Sequence, residues 1–247
     1  MSKSNYVFLH GGGQAGWVWS ETITALRQQS GGRCGATVAL DAPGCGAKRG
    51  RDTAALGVDE VVAELLGDIA AAGLQDIVLV GHSQAGTIVP RLIEKQAGLF
   101  RRIVYVSCIA PAPGLTILQQ LGAGPQGSHP HEVGWPFDPR TVDPRERPRL
   151  MFCNDMNDDE TSAFVARLGH DMWPAQTMSA ADWRYDHLDA VPSTYVMCLA
   201  DAILPLPWQE IFAARLKAGR RVRIDAGHQV MNTRPQALAE ILRDAAA

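Results

Sequence analysis

A chain of 247 residues is long enough to bury one sizeable core, and no internal feature demands a second independent domain. With 46% apolar and 20% charged residues it has ordinary globular chemistry, which excludes a disordered or fibrous chain. A formal net charge of −3 without any basic run gives a nucleic-acid partner no electrostatic support.

The polar start, Met1 to Asn5, leads straight into an apolar run, so no signal peptide is expected. No apolar run approaches the ~20 residues that span a bilayer, so no membrane partner is expected either. Short, continuous apolar runs at 6–9, 36–40, 77–80, 103–107, 194–199 and 221–225 read as strands buried on both faces. Between the second and third runs, Val58, Val61, Val62, Leu65, Leu66 and Ile69 repeat at helical spacing. A further helix follows the run at 77–80, marked by Ile88, Val89, Leu92 and Ile93. Pro90 falls early in that helix and is expected to remove one backbone hydrogen bond there. The rhythm breaks between 109 and 191, a stretch of prolines, tryptophans and clustered acids such as Asn154-Asp155 and Asp158-Asp159-Glu160. It holds short helical patterns, as at 161–168, and no convincing strand. It reads as a helical cap inserted in a core made of 1–108 and 192–247. The last helix is expected to start after Thr233, with Pro235 in its first turn and Leu238, Ile241 and Leu242 facing inward. The whole pattern predicts an α/β fold: a mostly parallel sheet of about six strands with helices on both faces. The five cysteines (Cys34, Cys45, Cys108, Cys153, Cys198) are scattered, odd in number and form no CxxC pair. Neither a metal site nor a disulfide framework is therefore expected, and a soluble cytoplasmic protein with reduced thiols is the simplest reading.

The strongest chemical signal is Val78-Leu79-Val80-Gly81-His82-Ser83-Gln84-Ala85-Gly86, in which a buried strand runs into a serine and then a helix. That context defines a nucleophile elbow, a tight turn that exposes the serine oxygen. It needs small residues two before and two after the serine, here Gly81 and Ala85. A hydroxyl is a weak nucleophile until a base accepts its proton. Of seven histidines, His228 lies in the loop between the last strand and the last helix, at the sheet edge where Ser83 emerges. His10 and His82 belong to backbone turns and read as structural. His129, His131, His170 and His187 lie in the cap, where solvent or substrate contact is expected. The acid should follow the strand at 194–199, where Asp201 stands. Some proteins of this fold place it after the preceding strand, but there the chain reads Ser107-Cys108-Ile109-Ala110. Asp225 is nearer His228 in sequence but ends a strand, and Asp201 is favoured. The backbone N–H of Gln84, and a second from the glycine loop His10-Gly11-Gly12-Gly13, are the expected donors to an oxyanion.

These features together resemble the α/β-hydrolase family, and within it the branch of plant-type methylesterases and hydroxynitrile lyases. The resemblance is carried by His10-Gly11-Gly12 with Trp17 and Trp19, by Asp41-Ala42-Pro43-Gly44, by the elbow, by the run from Asp201 to Ile203-Leu204-Pro205, and by Gly227-His228. It implies that the second oxyanion donor is Gly12. It also implies a cofactor-free serine hydrolase acting on a small carboxylic ester or lactone. A lyase or cyclase using the same triad as an acid–base device is the alternative, and a non-catalytic ligand-binding protein is disfavoured by the intact site. Cyanohydrin-cleaving relatives carry a threonine and a lysine where this chain has Gly11 and Gln229, which weighs towards the hydrolase. The cap aromatics and thioethers, Trp135, Phe137, Met151, Phe152, Trp173 and Trp183, either line a pocket over Ser83 or form the cap's own core. Whether the chain works alone or as a homodimer is left open.

Overall fold

The computed structural model describes residues 3–246. Six strands form one sheet: β1 (Ser4–Leu9), β2 (Cys34–Leu40), β3 (Ile77–His82), β4 (Phe100–Val106), β5 (Ser193–Cys198) and β6 (Arg220–Ile224). Every neighbouring pair is parallel, in the order β2-β1-β3-β4-β5-β6. The chain first steps outward from β1 to β2, then returns to the other side of β1 and proceeds to β6. The carboxyl ends of β1 and β3 therefore flank the point where strand order reverses. Diverging loops open a crevice there, and this is where open α/β sheets hold ligands.

Alternate strand residues divide the core into two layers. Val7, Leu9, Ile77, Leu79, Ile103, Tyr105, Tyr195 and Met197 face α2 (Val58–Ala71), α3 (Val89–Gln96) and α8 (Leu206–Arg215). Tyr6, Phe8, Val78, Val80, Val104, Val106, Val196 and Cys198 face α1 (Ser20–Gln29) and α10 (Pro235–Ala245). All of β3 is buried, as its unbroken apolar run requires. The two edge strands depart from the expectation of burial on both faces: in β2 only Leu40 is buried, and β6, which carries Arg220, Arg221 and Arg223, buries only Ile224, because an edge strand has a neighbour on one side alone. In α10, Leu238 and Leu242 are buried and Ile241 is partly so, with Pro235 in the first turn.

Pro90 differs from the expectation. A 3-10 turn, Ser83–Thr87, separates β3 from α3, so the proline stands in the first turn of α3. An N–H at that position has no intrahelical acceptor in any case, and the ring removes no bond.

Between β4 and β5 lie four short helices, α4 (Ile117–Leu121), α5 (Arg147–Phe152), α6 (Asp158–Val165) and α7 (Ala175–Ser179). α6 starts three residues before the pattern at 161–168 suggests. Asn157 and Glu160 form a capping box, Asn157 Oδ1 accepting from Glu160 N–H at 2.9 Å and the Glu160 carboxylate from Asn157 N–H at 2.8 Å. Caps set helix starts where apolar periodicity is weak. The last short helix of the core, α9 (Val230–Thr233), precedes α10. Among the described residues no helix is long and apolar enough to cross a membrane.

Candidate active site

Ser83 ends the β3 turn with φ 53°, a left-handed backbone conformation that a serine adopts only when its surroundings impose it. The crowding is measurable: a Cβ on Gly81 would lie 2.9 Å from Val89 Cγ2 and 3.3 Å from Ala85 Cβ. Small residues at these two positions are thus required by contact. Ser83 remains half-buried while Gln84, Ala85, Gly86 and Thr87 are buried, so the hydroxyl reaches the crevice.

His228 and Asp201 meet it there. His228 Nε2 is 3.0 Å from Ser83 Oγ, and Nδ1 is 2.6 Å from Asp201 Oδ2. Both side chains are fully buried. Asp201 Oδ1 accepts from the N–H groups of Ile203 and Leu204, each at 2.8 Å, and Ser107 Oγ–H donates to Oδ2. With every lone-pair direction engaged by a protein donor, the carboxylate faces Nδ1 in one orientation. Asp225 is exposed, and no hydrogen bond joins it to His228. Sequence reasoning misses Ser107. It follows β4, the position where other hydrolases carry the acid itself, and its φ is 40°. A polar residue at that strand end is the only signal the sequence offers.

The two structural histidines are buried and neutral. His10 Nε2 accepts from Ala42 N–H at 3.1 Å, so Nδ1 carries the proton and donates to Gly11 O at 2.8 Å. Burial lowers its pKa to about 4. His82 lies beneath His228, ring centroids 4.6 Å apart, and donates from Nε2 to the His228 carbonyl at 3.0 Å. Burial, and then the nearby His228, push its pKa well below the ordinary histidine value. His187 is held by α3 rather than by substrate or solvent, with Nε2 2.8 Å from Pro90 O. His129, His131 and His170 are exposed.

Gly11, Gly12 and Gly13 run past Ser83 at the end of β1. A Cβ on Gly11 would meet Ser83 Cβ at 2.9 Å and His82 Nδ1 at 3.0 Å, so the room left there lies against the serine's own stem. A Cβ on Gly12 would lie 2.5 Å from Gln84 Oε1, which places Gly12 directly across from Gln84. Gln229 is fully buried, with no partner for its amide among the described residues.

Above the serine is a cavity of about 290 Å³ that Gly12, Gly13, Ser83 and Gln84 share with apolar side chains. Trp135, Met151 and Phe152 line it, together with Ile109, Ile203 and Leu204. Phe137, Trp173 and Trp183 do not; all three are buried in packing, Trp173 and Trp183 in the larger core cluster. No charged residue lines the cavity. Among the described residues no group of three or more His, Cys, Asp or Glu side chains is arranged to hold a metal ion.

The segment carrying these apolar groups is bonded to the loops that carry the polar ones. Asn154 Nδ2 donates to Ala200 O at 2.7 Å, next to Asp201. Asp155 Oδ2 accepts from Gly227 N–H at 2.8 Å, next to His228, and from Thr233 Oγ1 at 2.9 Å. Asp171, which is buried, accepts from Gly46 N–H, Arg49 and Trp17 Nε1.

A model of the family described as "Alpha/beta hydrolase family" matches residues 6–241. A curated relative, a carbendazim hydrolyzing esterase of Nocardioides, is 28% identical over 118 residues, 48% of this chain and 47% of that protein. The match thus spans about half the length of the curated relative. Among solved structures, an extracellular alpha/beta-hydrolase from a Paenibacillus species superposes with a TM-score of 0.78 at 18% identity, covering 98% of both chains. A methylesterase from Arabidopsis gives 0.74 at 17% identity, with 98% of both chains covered. At these identities the structural likeness establishes the fold.

Proposed function

The chain belongs to the alpha/beta hydrolase family, and from that premise we propose that it is a serine hydrolase of small, neutral carboxylic esters or lactones. The observation that carries the reading is the unbroken hydrogen-bonded series from Ser83 through His228 to Asp201, opening on an uncharged cavity. Ser83 is the nucleophile. As its oxygen bonds to the substrate carbonyl carbon, its proton passes to His228 Nε2, and Asp201 stabilises the imidazolium through Nδ1–H without taking that proton. The carbonyl oxygen gains negative charge, which the N–H groups of Gly12 and Gln84 receive. Collapse breaks the ester C–O bond, the alcohol leaves with the proton from His228, and the acyl group stays on Ser83. A water, deprotonated by the same imidazole, then releases the acid.

The cavity adds the substrate class. Apolar walls and about 290 Å³ suit an uncharged acyl or aryl group at the small end of ligand sites. A charged substrate would be desolvated there without a partner. The relative described as a carbendazim hydrolyzing esterase supports ester hydrolysis. The lyase alternative gains no support from Gln229, whose buried neutral amide offers no cation to a leaving anion. We place the protein in the cytoplasm, supported by five free thiols, four of them buried.

The test is a panel of aryl esters and lactones with the wild type and Ser83→Ala, followed by mass spectrometry after a fluorophosphonate. Turnover should fall roughly 10⁴-fold or more in Ser83→Ala, and His228→Ala added to it should cost little further. The adduct should map to Ser83. Full labelling and turnover surviving in Ser83→Ala would remove this assignment, and cyanide release from cyanohydrins without ester turnover would favour the lyase.

A further inference from the structure

The Gly11 carbonyl accepts two N–H donors in the protein interior, His10 Nδ1 at 2.8 Å and the Trp173 indole Nε1 at 3.0 Å. The Ala42 N–H locks His10 as the donor. The two rings meet edge to face, centroids 5.4 Å apart at 66°, and Trp173 is itself buried. A carbonyl oxygen with both lone pairs engaged from different directions has lost its freedom to swing. The Gly11 C=O and the Gly12 N–H are the two ends of one peptide unit. That unit is planar and trans, so fixing the oxygen fixes the N–H in the opposite direction.

Nothing else fixes it. Gly12 has no side chain and belongs to no helix or strand, and among the described residues its N–H donates to no protein acceptor. Two glycines in succession leave this peptide free to rotate unless it is held. Yet Gly12 borders the cavity beside Ser83, where a donor must already be aimed before charge develops.

We infer that Trp173 is a positioning residue for the reaction: with His10 it clamps the Gly11–Gly12 peptide, so that the Gly12 N–H stays directed at the oxyanion. The inference rests on the serine-hydrolase reading. It assigns to a tryptophan of the inserted segment, 162 residues from Gly11, an effect on the chemical step, although its ring lies outside the substrate cavity. A tryptophan that merely tied the segment to the core would be read in substrate affinity and thermal stability. A clamp is read in turnover and in the binding of tetrahedral anions.

Trp173→Phe separates the two, because it keeps an aromatic ring and removes the indole N–H. Active sites are titrated with a fluorophosphonate, so that unfolded protein cancels, and kcat, KM and the inhibition constant of an arylboronic acid are measured. The expected result is a fall in kcat of roughly 10-fold, less than the loss of an entire oxyanion donor, with KM within about twofold. The boronate, which forms a tetrahedral anion on serine, should weaken by the same factor as kcat. Unchanged kcat and boronate affinity, or a rise in KM alone, would overturn the clamp. Should the variant fail to fold, solvent exchange of the Trp173 Nε1 proton in the wild type decides: strong protection is expected, and exchange at the rate of free indole would overturn it. The wild type and Ser83→Ala accompany each assay. Ester turnover and boronate binding by the wild type, both lost in Ser83→Ala, uphold the serine reading. A flat Trp173→Phe result then removes the clamp alone, whereas an inert wild type removes both.

Discussion

Asp201→Asn removes one charge and almost no volume, and its effect can be traced through each of the bonds that Asp201 accepts. The Oδ1 atom can keep the N–H groups of Ile203 and Leu204, each at 2.8 Å. The new amide nitrogen then replaces Oδ2, facing Ser107 and His228. The Ser107 hydroxyl can rotate from donor to acceptor. The imidazole cannot donate to an NH2 group, so Nδ1 must become the acceptor and the ring proton must move to Nε2. That nitrogen lies 3.0 Å from Ser83 Oγ, where it now donates instead of accepting. The base is lost through the wrong tautomer while the backbone stays in place. The expected cost is ~10⁴-fold in kcat/KM near neutral pH, equivalent to about 5 kcal/mol of transition-state stabilisation. Folding should lose only about 1 to 3 kcal/mol, the range for one altered hydrogen bond to a charged group. Hydrolysis of an activated aryl ester and a thermal melt measure the two effects on one sample. Asp225→Asn, at an exposed position, is the control and should retain most activity. An Asp201→Asn enzyme within tenfold of the wild type, or a larger loss in Asp225→Asn, would refute the assignment of the acid.

Stability should fall as pH drops from about 6.5 towards 4, because His10 is held neutral with its pKa lowered from 6.5 to about 4. Its folded pKa is depressed, so the unfolded chain binds more protons in that window. Stability is therefore fully present above about pH 6.5, with about 3 kcal/mol at stake over the whole range. His82 acts in the same direction. The melting temperature of the wild type should decline more steeply below pH 6.5 than that of His10→Gln, and parallel curves would contradict this. Trp135 lines the cavity and donates from Nε1 to Gly122 O at 2.9 Å, so Trp135→Ala should change the relative rates among esters of different bulk. Labelling of Ser83 by a small fluorophosphonate should change much less, and equal loss in both assays would make Trp135 a folding element.

Interactions confined to a few neighbouring residues are legible in the sequence. The strands follow from short apolar runs, and the elbow from a glycine, a serine and an alanine at fixed offsets. Asp201 and His228 are legible because each follows a recognisable strand on the carboxyl edge. The illegible contacts span the chain. Ser107 reaches Asp201 across 94 residues, and Asp155 reaches the Gly227 loop across 72. Neither contact leaves a period, a motif or a compositional mark, since each needs only one polar side chain in the right place. The same holds for the cap aromatics: spacing does not tell Trp135, which lines the cavity, from Trp173, which turns into the core. Pro90 misleads for a local reason. The 3-10 turn after Ser83 delays the helix, and no residue type announces that delay.

The bonds from Asn154 to Ala200 and from Asp155 to Gly227 bear on how this protein can be re-engineered. The insertion between β4 and β5 is an obvious segment to exchange as a unit. In this chain the part is not separable. The doublet grips the backbone one residue before Asp201 and one residue before His228. A Cβ at Gly227 would lie 2.4 Å from Asp155 Oδ1, so the turn packs directly against this glycine. A transplanted segment without an acceptor in place of Asp155 would leave the Gly227 N–H without its carboxylate partner, next to His228. Chimeras whose junctions lie outside this turn, keeping residues 153–157 with the host, are the ones that should inherit new selectivity with old turnover.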